Sequence, residues 1–103
     1  MSASKPLLLV LHVLSDAHLS QLAQSFDVLY APDAARCAEA LTAHGPRVQA
    51  VLTVGAIGLS AAQMQAMPQL RWVGALGAGY ENIDVAYARA HGIAVSNGAG
   101  TND

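Results

Sequence analysis

The residues best suited to chemistry lie in one turn, Gly77-Ala78-Gly79, between an apolar run at Leu70–Ala75 and a helix start capped by Asp84. Glycines there let backbone come close to a ligand. The outward N–H groups of such a turn, backed by the positive end of a helix dipole, favour an anion. A small carboxylate is a suitable guest. The same glycines also suit an ordinary strand-to-helix turn that needs positive φ, so the pattern alone leaves both uses open. A dinucleotide fits less well. Gly77 and Gly79 supply two glycines of G-x-G-x-x-G, but the sixth position is Asn82. The next strand ends in Ser96-Asn97-Gly98 rather than in the acid that would hold a ribose. No cofactor is expected at this turn.

No catalytic constellation stands out elsewhere. His44 and His91 fall in last helical turns, where an imidazole interacts favourably with the dipole. His12, in the first strand, reads as a core histidine with its ring satisfied, the alternative being a place near the strand ends. None of His12, His18, His44 and His91 has metal-ligand spacing to another histidine or carboxylate. The single cysteine, Cys37, excludes an internal disulfide and a Cys-rich zinc site. Its helical spacing with Ala34, Ala38 and Leu41 makes it a small core residue rather than a reactive thiol. Ser15-Asp16 imitates part of a phosphoacceptor site, without the acid cluster and lysine of a receiver domain.

Composition narrows the setting. With 53% apolar and 12% charged residues the chain is globular, and so little charge on a small domain implies surface covered by other protein. Self-association into a homo-oligomer is therefore expected. A formal charge of −2 with no basic cluster argues against nucleic acid or an anionic membrane as partner. Lys5 followed by Leu7–Leu14 looks like a short signal peptide, but His12 interrupts the run and no A-x-A site follows. The segment is needed as a strand, no run reaches the roughly 18 residues of a spanning helix, and a cytoplasmic location is expected.

The positioning elements follow from periodicity and punctuation. Pro6–Val13 is a near-continuous apolar run, as in a strand covered on both faces. Ser15 or Asp16 caps a helix whose apolar stripe is Leu19, Leu22, Ala23 and Phe26. Asp27–Ala31 is a second strand, and Pro32-Asp33 opens a helix from Ala34 to His44 that Gly45-Pro46 ends. Val48–Val54 is a third strand. Ser60-Ala61-Ala62-Gln63 has capping-box spacing, starting a short helix that stops before Pro68. Leu70–Ala75 is the fourth strand, Val85–His91 a helix stopped by Gly92, and Ile93–Ser96 the fifth strand. Alternation of this kind predicts an α/β, doubly wound, five-stranded parallel sheet of flavodoxin-like order 2-1-3-4-5, with ligands at the carboxyl ends of the strands.

LGAGYENIDVAYARAHGIAVSNGAGTND resembles the N-terminal region of the D-isomer-specific 2-hydroxyacid dehydrogenases, which include glyoxylate and hydroxypyruvate reductases. The matching elements are G-x-G-[YF]-[ED]-N-[IV]-D, a helix rich in Ala and Arg, and H/R-G-I-x-V-x-N, preceded by Pro68-Gln69-Leu70-Arg71-Trp72-Val73. The likeness is specific over residues 68–103 and rests on element order over 6–67. It implies a substrate-binding ("catalytic") domain at 1–96, with 97–103 as a hinge to a Rossmann NAD(P)-binding domain beyond this chain. Gly98-Ala99 replaces the family's common Thr-Pro in that hinge. It further implies that backbone N–H groups of Ala78 and Gly79, in the turn begun by Gly77, hold the carboxylate of a small 2-keto or 2-hydroxy acid. Val54 and Gly55 would line the pocket, and the Asn102 amide would contact the substrate. The catalytic Arg, Glu and His would lie past Asp103, so this stretch alone would bind no NAD or NADP and be inactive. The competing reading is a stand-alone flavodoxin-like module that binds a small anion or a protein without catalysis.

Overall fold

The computed structural model describes residues 5–54, 58–76 and 82–97. Strands β1 (Leu7–Val10), β2 (Asp27–Tyr30), β3 (Val48–Val54), β4 (Trp72–Leu76) and β5 (Ala94–Asn97) alternate with helices α1 (Asp16–Ala23), α2 (Ala34–His44), α3 (Ala61–Gln65) and α4 (Val85–Ala90). A single 3₁₀ turn, Gly45–Arg47, joins α2 to β3. All strand pairs are parallel and the order is β2-β1-β3-β4-β5, the flavodoxin-like arrangement expected from the alternation.

The central strand shows why the apolar runs become strands. β3 is covered on both faces, so Val48, Ala50, Val51, Leu52 and Thr53 are all buried. On one face Leu9, Val51, Val73 and Ala75 pack against Cys37 and Ala40 of α2, Met64 of α3 and Ala88 of α4. On the other, Leu8, Val10, Ala50 and Leu52 pack with Leu22 of α1, Phe26, Tyr30 and Trp72. Gly74 leaves room for the Trp72 ring on this second face. A Cβ there would stand 2.4 Å from Cη2 and 2.6 Å from Cζ2 of the Trp72 indole.

Each helix in the described residues begins with a side chain serving an orphan N–H, one of the strongest local helix signals. Ser15 Oγ accepts from His18 N–H, Asp33 Oδ1 from Arg36 N–H and Asp84 Oδ1 from Tyr87 N–H. Ser60 and Gln63 complete the reciprocal capping box. Of Ser15 and Asp16, the serine is the cap.

Several boundaries differ from expectation: β2 ends at Tyr30 rather than Ala31, β4 spans Trp72–Leu76 rather than Leu70–Ala75, α4 ends at Ala90 rather than His91, and β5 spans Ala94–Asn97 rather than Ile93–Ser96. β1 stops at Val10 rather than Val13, because its partner β2 ends at Tyr30, opposite Val10. The chain then bends at His12 and leaves Val13 76% exposed. The expected stripe of the first helix is weaker than read: no α1 residue is fully buried, and Phe26 lies beyond the helix end. There the Lys5 ammonium donates to the Ala23 carbonyl at 2.6 Å, satisfying one of the last acceptors.

Candidate functional site

In a parallel sheet all strands deliver their following loops to one edge. Val54, the last residue of β3, pairs with Leu76, the last of β4, so these two loops leave side by side. The loop after β3 is shaped from below by Thr53. Its fully buried hydroxyl donates to the Gly58 carbonyl at 3.1 Å, while Gly58 N–H donates to the Val54 carbonyl at 2.8 Å. Gly58 sits at φ +69, and a Cβ there would lie 2.1 Å from the Asn82 carbonyl oxygen. Only glycine fits.

The next residue fastens this loop to the one after β4. Leu59 and Ile83 form an isolated parallel bridge. Leu59 N–H donates to the Asn82 carbonyl at 2.9 Å, and Asp84 N–H donates to the Leu59 carbonyl at 3.0 Å. Both apolar side chains are buried in the core, and Asp84 goes on to cap α4. Nothing in the local pattern of either loop announces this clasp.

The clasp also bears on the dinucleotide question. Where a fingerprint would place its third glycine, the Asn82 backbone is pressed against Gly58 and bonded to Leu59. The helix that follows has only six residues. The expectation of no nucleotide at this turn rests on the sequence, Gly77-Ala78-Gly79 lying outside the described residues.

Of the expected substrate contacts, Val54 is half-buried at the carboxyl edge. Gly55, Gly77, Ala78, Gly79 and Asn102 lie outside the described residues. The structure brings the flanks of the two loops together at Val54 and Leu76.

His12 is buried as read from the sequence, but its ring is not satisfied. It is only 8% exposed, as a core histidine should be, yet neither Nδ1 nor Nε2 has a hydrogen-bond partner. Burial pushes its pKa below the ordinary 6.5, so the ring is neutral near pH 7; the Leu52 carbonyl opposes this by favouring the charged form. That carbonyl already accepts from Leu11 N–H at 2.9 Å. Leaving a buried polar group unsatisfied costs roughly 1–3 kcal/mol. Val10 pairs with Leu52 and Leu11 N–H bonds the Leu52 carbonyl, so His12 follows directly on the last tie between β1 and β3.

The remaining candidates are structural. The Cys37 thiol is buried, which pushes its pKa up, and it accepts from Gln63 Nε2 at 3.7 Å. His91 stacks on Tyr87 with ring centroids 3.9 Å apart, and His44 bonds Arg47, both at helix ends as expected. Among the described residues no three His, Cys, Asp or Glu converge to hold a metal, and no helix is long and apolar enough to cross a membrane.

A five-stranded parallel sheet in this order, with its clasped loops on the carboxyl edge, is a flavodoxin-like α/β domain, a class in which ligands meet that edge. The chain belongs to the D-isomer specific 2-hydroxyacid dehydrogenase family, whose catalytic-domain model matches residues 8–103. It is similar to the 2-hydroxyacid dehydrogenase of Ketogulonicigenium vulgare Y25, at 33% identity and TM-score 0.81 over 95% of this chain and 31% of that one. A dehydrogenase from Rhizobium meliloti is 30% identical with TM-score 0.76, over 89% of this chain and 33% of that one. The D-mandelate dehydrogenase of Rhodotorula graminis shares the fold at 20% identity and TM-score 0.72, over 95% of this chain and 32% of that one. The chain thus spans about a third of the length of the solved structures it matches. Among curated proteins none matches it.

Proposed function

We propose that this chain is the substrate-binding part of a longer NAD(P)-dependent oxidoreductase that interconverts 2-keto acids and D-2-hydroxy acids. The observation that carries the reading is the match to the family's catalytic domain over residues 8–103. In this reading residues 1–96 hold the acid, and 97–103 are a hinge to a following Rossmann domain. Backbone N–H groups of Ala78 and Gly79 take the substrate carboxylate, and Gly77 lets the turn come close enough to do so. Val54 and Gly55 line the pocket, and the Asn102 amide contacts the substrate. The clasp between Leu59 and Ile83 supports the geometry by fixing the ends of both loops.

NAD or NADP, bound outside this chain, supplies the hydride. This chain's residues bind and orient the acid, keeping its keto carbon facing the other domain. An Arg beyond Asp103 polarises the carbonyl and a His there donates the proton, which gives the D-hydroxy acid. The chain alone is expected to bind the acid without reducing it, because its glycine turn is no nucleotide cradle.

The test is reduction of glyoxylate, hydroxypyruvate and pyruvate by the full-length protein with NADH or NADPH. Gly79→Val in that protein should remove roughly 3–6 kcal/mol of transition-state binding, the worth of a charge-assisted hydrogen-bond pair, with cofactor affinity nearly unchanged. Equal loss of cofactor and acid binding would instead indicate unfolding. Absence of turnover with every acid would overturn the reading.

A further inference from the structure

Among the described residues, two polar side chains are buried, and they behave differently. Thr53 uses its hydroxyl on the Gly58 carbonyl and so helps build the loop. The His12 imidazole has no hydrogen-bond partner of sound geometry: the Leu52 carbonyl bears on it but already accepts from Leu11 N–H. Its setting is nevertheless well defined, because the backbone around it is tied down. Leu11 N–H donates to the Leu52 carbonyl at 2.9 Å, Leu14 N–H donates to Tyr30 Oη at 3.2 Å, and Ser15 caps α1. The ring is thus positioned by contacts it does not itself make.

Its place is informative. Strand order turns about β1, with β2 on one side and β3 on the other, and such a switch point is where open α/β sheets receive ligands. His12 is on the loop leaving β1 at that point. It comes two residues after Val10, the residue paired with Leu52, and one after Leu11, whose N–H holds the Leu52 carbonyl, so it lies beside the end of β3. A buried histidine kept for structure ordinarily has a partner for at least one nitrogen.

We propose that His12 is a specificity-determining residue of the substrate site, its imidazole bonding a hydroxyl on the carbon next to the substrate's keto group. The inference rests on the reading of this chain as the acid-binding part of a 2-keto-acid reductase. A neutral imidazole offers one N–H and one bare nitrogen, and a hydroxyl likewise both donates and accepts. Hydroxypyruvate carries such a hydroxyl. Pyruvate, with a methyl there, would leave both ring nitrogens unsatisfied. Sites built to hydrogen-bond a substrate group reject analogues lacking it far more strongly than apolar pockets reject a misfit.

The experiment compares wild type, His12→Leu and His12→Gln in the full-length protein, with hydroxypyruvate and pyruvate. His12→Leu should lower the hydroxypyruvate-to-pyruvate ratio of kcat/KM by on the order of tenfold or more, mainly through KM for hydroxypyruvate. His12→Gln, which keeps a donor and an acceptor, should stay within about threefold of wild type. Thermal unfolding of the same proteins gives a second readout. Removing an unsatisfied ring should raise the melting temperature of His12→Leu, whereas removing a structural histidine would lower it. A selectivity ratio unchanged in His12→Leu, or a lower melting temperature, overturns the inference. A wild type that reduces neither acid, nor glyoxylate, overturns the reading on which it rests; a working wild type indifferent to residue 12 overturns only this step.

Discussion

Gly58 is pressed against Asn82: a Cβ on Gly58 would stand 2.1 Å from the Asn82 carbonyl oxygen and 2.3 Å from its Cβ. The contact requires both the missing side chain and the positive φ, and the Leu59–Ile83 bridge depends on it. Gly92 has nearly the same conformation, at φ +72, but a Cβ there would meet nothing within 4 Å. Gly92→Ala should therefore cost only the left-handed penalty, about 1–2 kcal/mol. Gly58→Ala must also break the clasp and should cost about 3 kcal/mol or more. Urea unfolding of the two variants measures the difference. Equal losses would show that the clasp adds nothing.

Thr53 tests the same loop from below. Thr53→Val preserves shape but leaves the buried Gly58 carbonyl without its hydroxyl donor, a loss of roughly 1–3 kcal/mol. Thr53→Ser should restore most of it. A valine variant as stable as wild type would mean that the hydroxyl is dispensable.

Much of this architecture was legible in the chain. The run at Val48–Val54 becomes the central strand residue for residue, and that at Leu70–Ala75 holds most of β4, while Ser15, Asp33, Ser60 and Asp84 announce their helices through short side chains that act locally. The apolar run Pro6–Val13 overshoots the first strand because Leu11 is apolar for another reason. Leu11 packs into the core beyond the ladder, and Leu14 packs with the Tyr30 face while its N–H reaches Tyr30 Oη. The clasp was illegible because Leu59 and Ile83 meet only after the sheet has formed. His12 was correctly read as buried. Its lack of a partner is a property of three dimensions that no spacing encodes.

Acid should weaken the fold partly through His12. Its pKa is lowered in the folded protein, so above 6.5 both folded and unfolded rings are neutral and the residue adds no pH dependence. As pH falls below 6.5 the unfolded chain takes up a proton that the folded one resists, and stability declines until the lower folded pKa is passed. His12→Leu should flatten this part of the stability–pH curve. Cys37 acts at the other end: its pKa is raised on folding, so stability should fall as pH rises past 9.0, where the unfolded thiol ionises first. Urea midpoints across both ranges decide each case.

The single tryptophan makes the second sheet face visible in solution. Gly74→Ala would put a methyl within 2.4 Å of the Trp72 ring, which must then swing away from the sheet. Emission should shift to the red, and stability should drop by about 1–3 kcal/mol from overpacking. An unshifted spectrum would place the indole elsewhere.

The sheet tapers. β3, at its centre, has seven residues, while β2 and β5, at its margins, have four each. A neighbouring sheet would therefore find few rungs of free N–H and C=O along either margin, too few to nucleate a continuous ladder from one molecule to the next. Among the described residues, neither margin offers a long template for growth into extended β-fibrils.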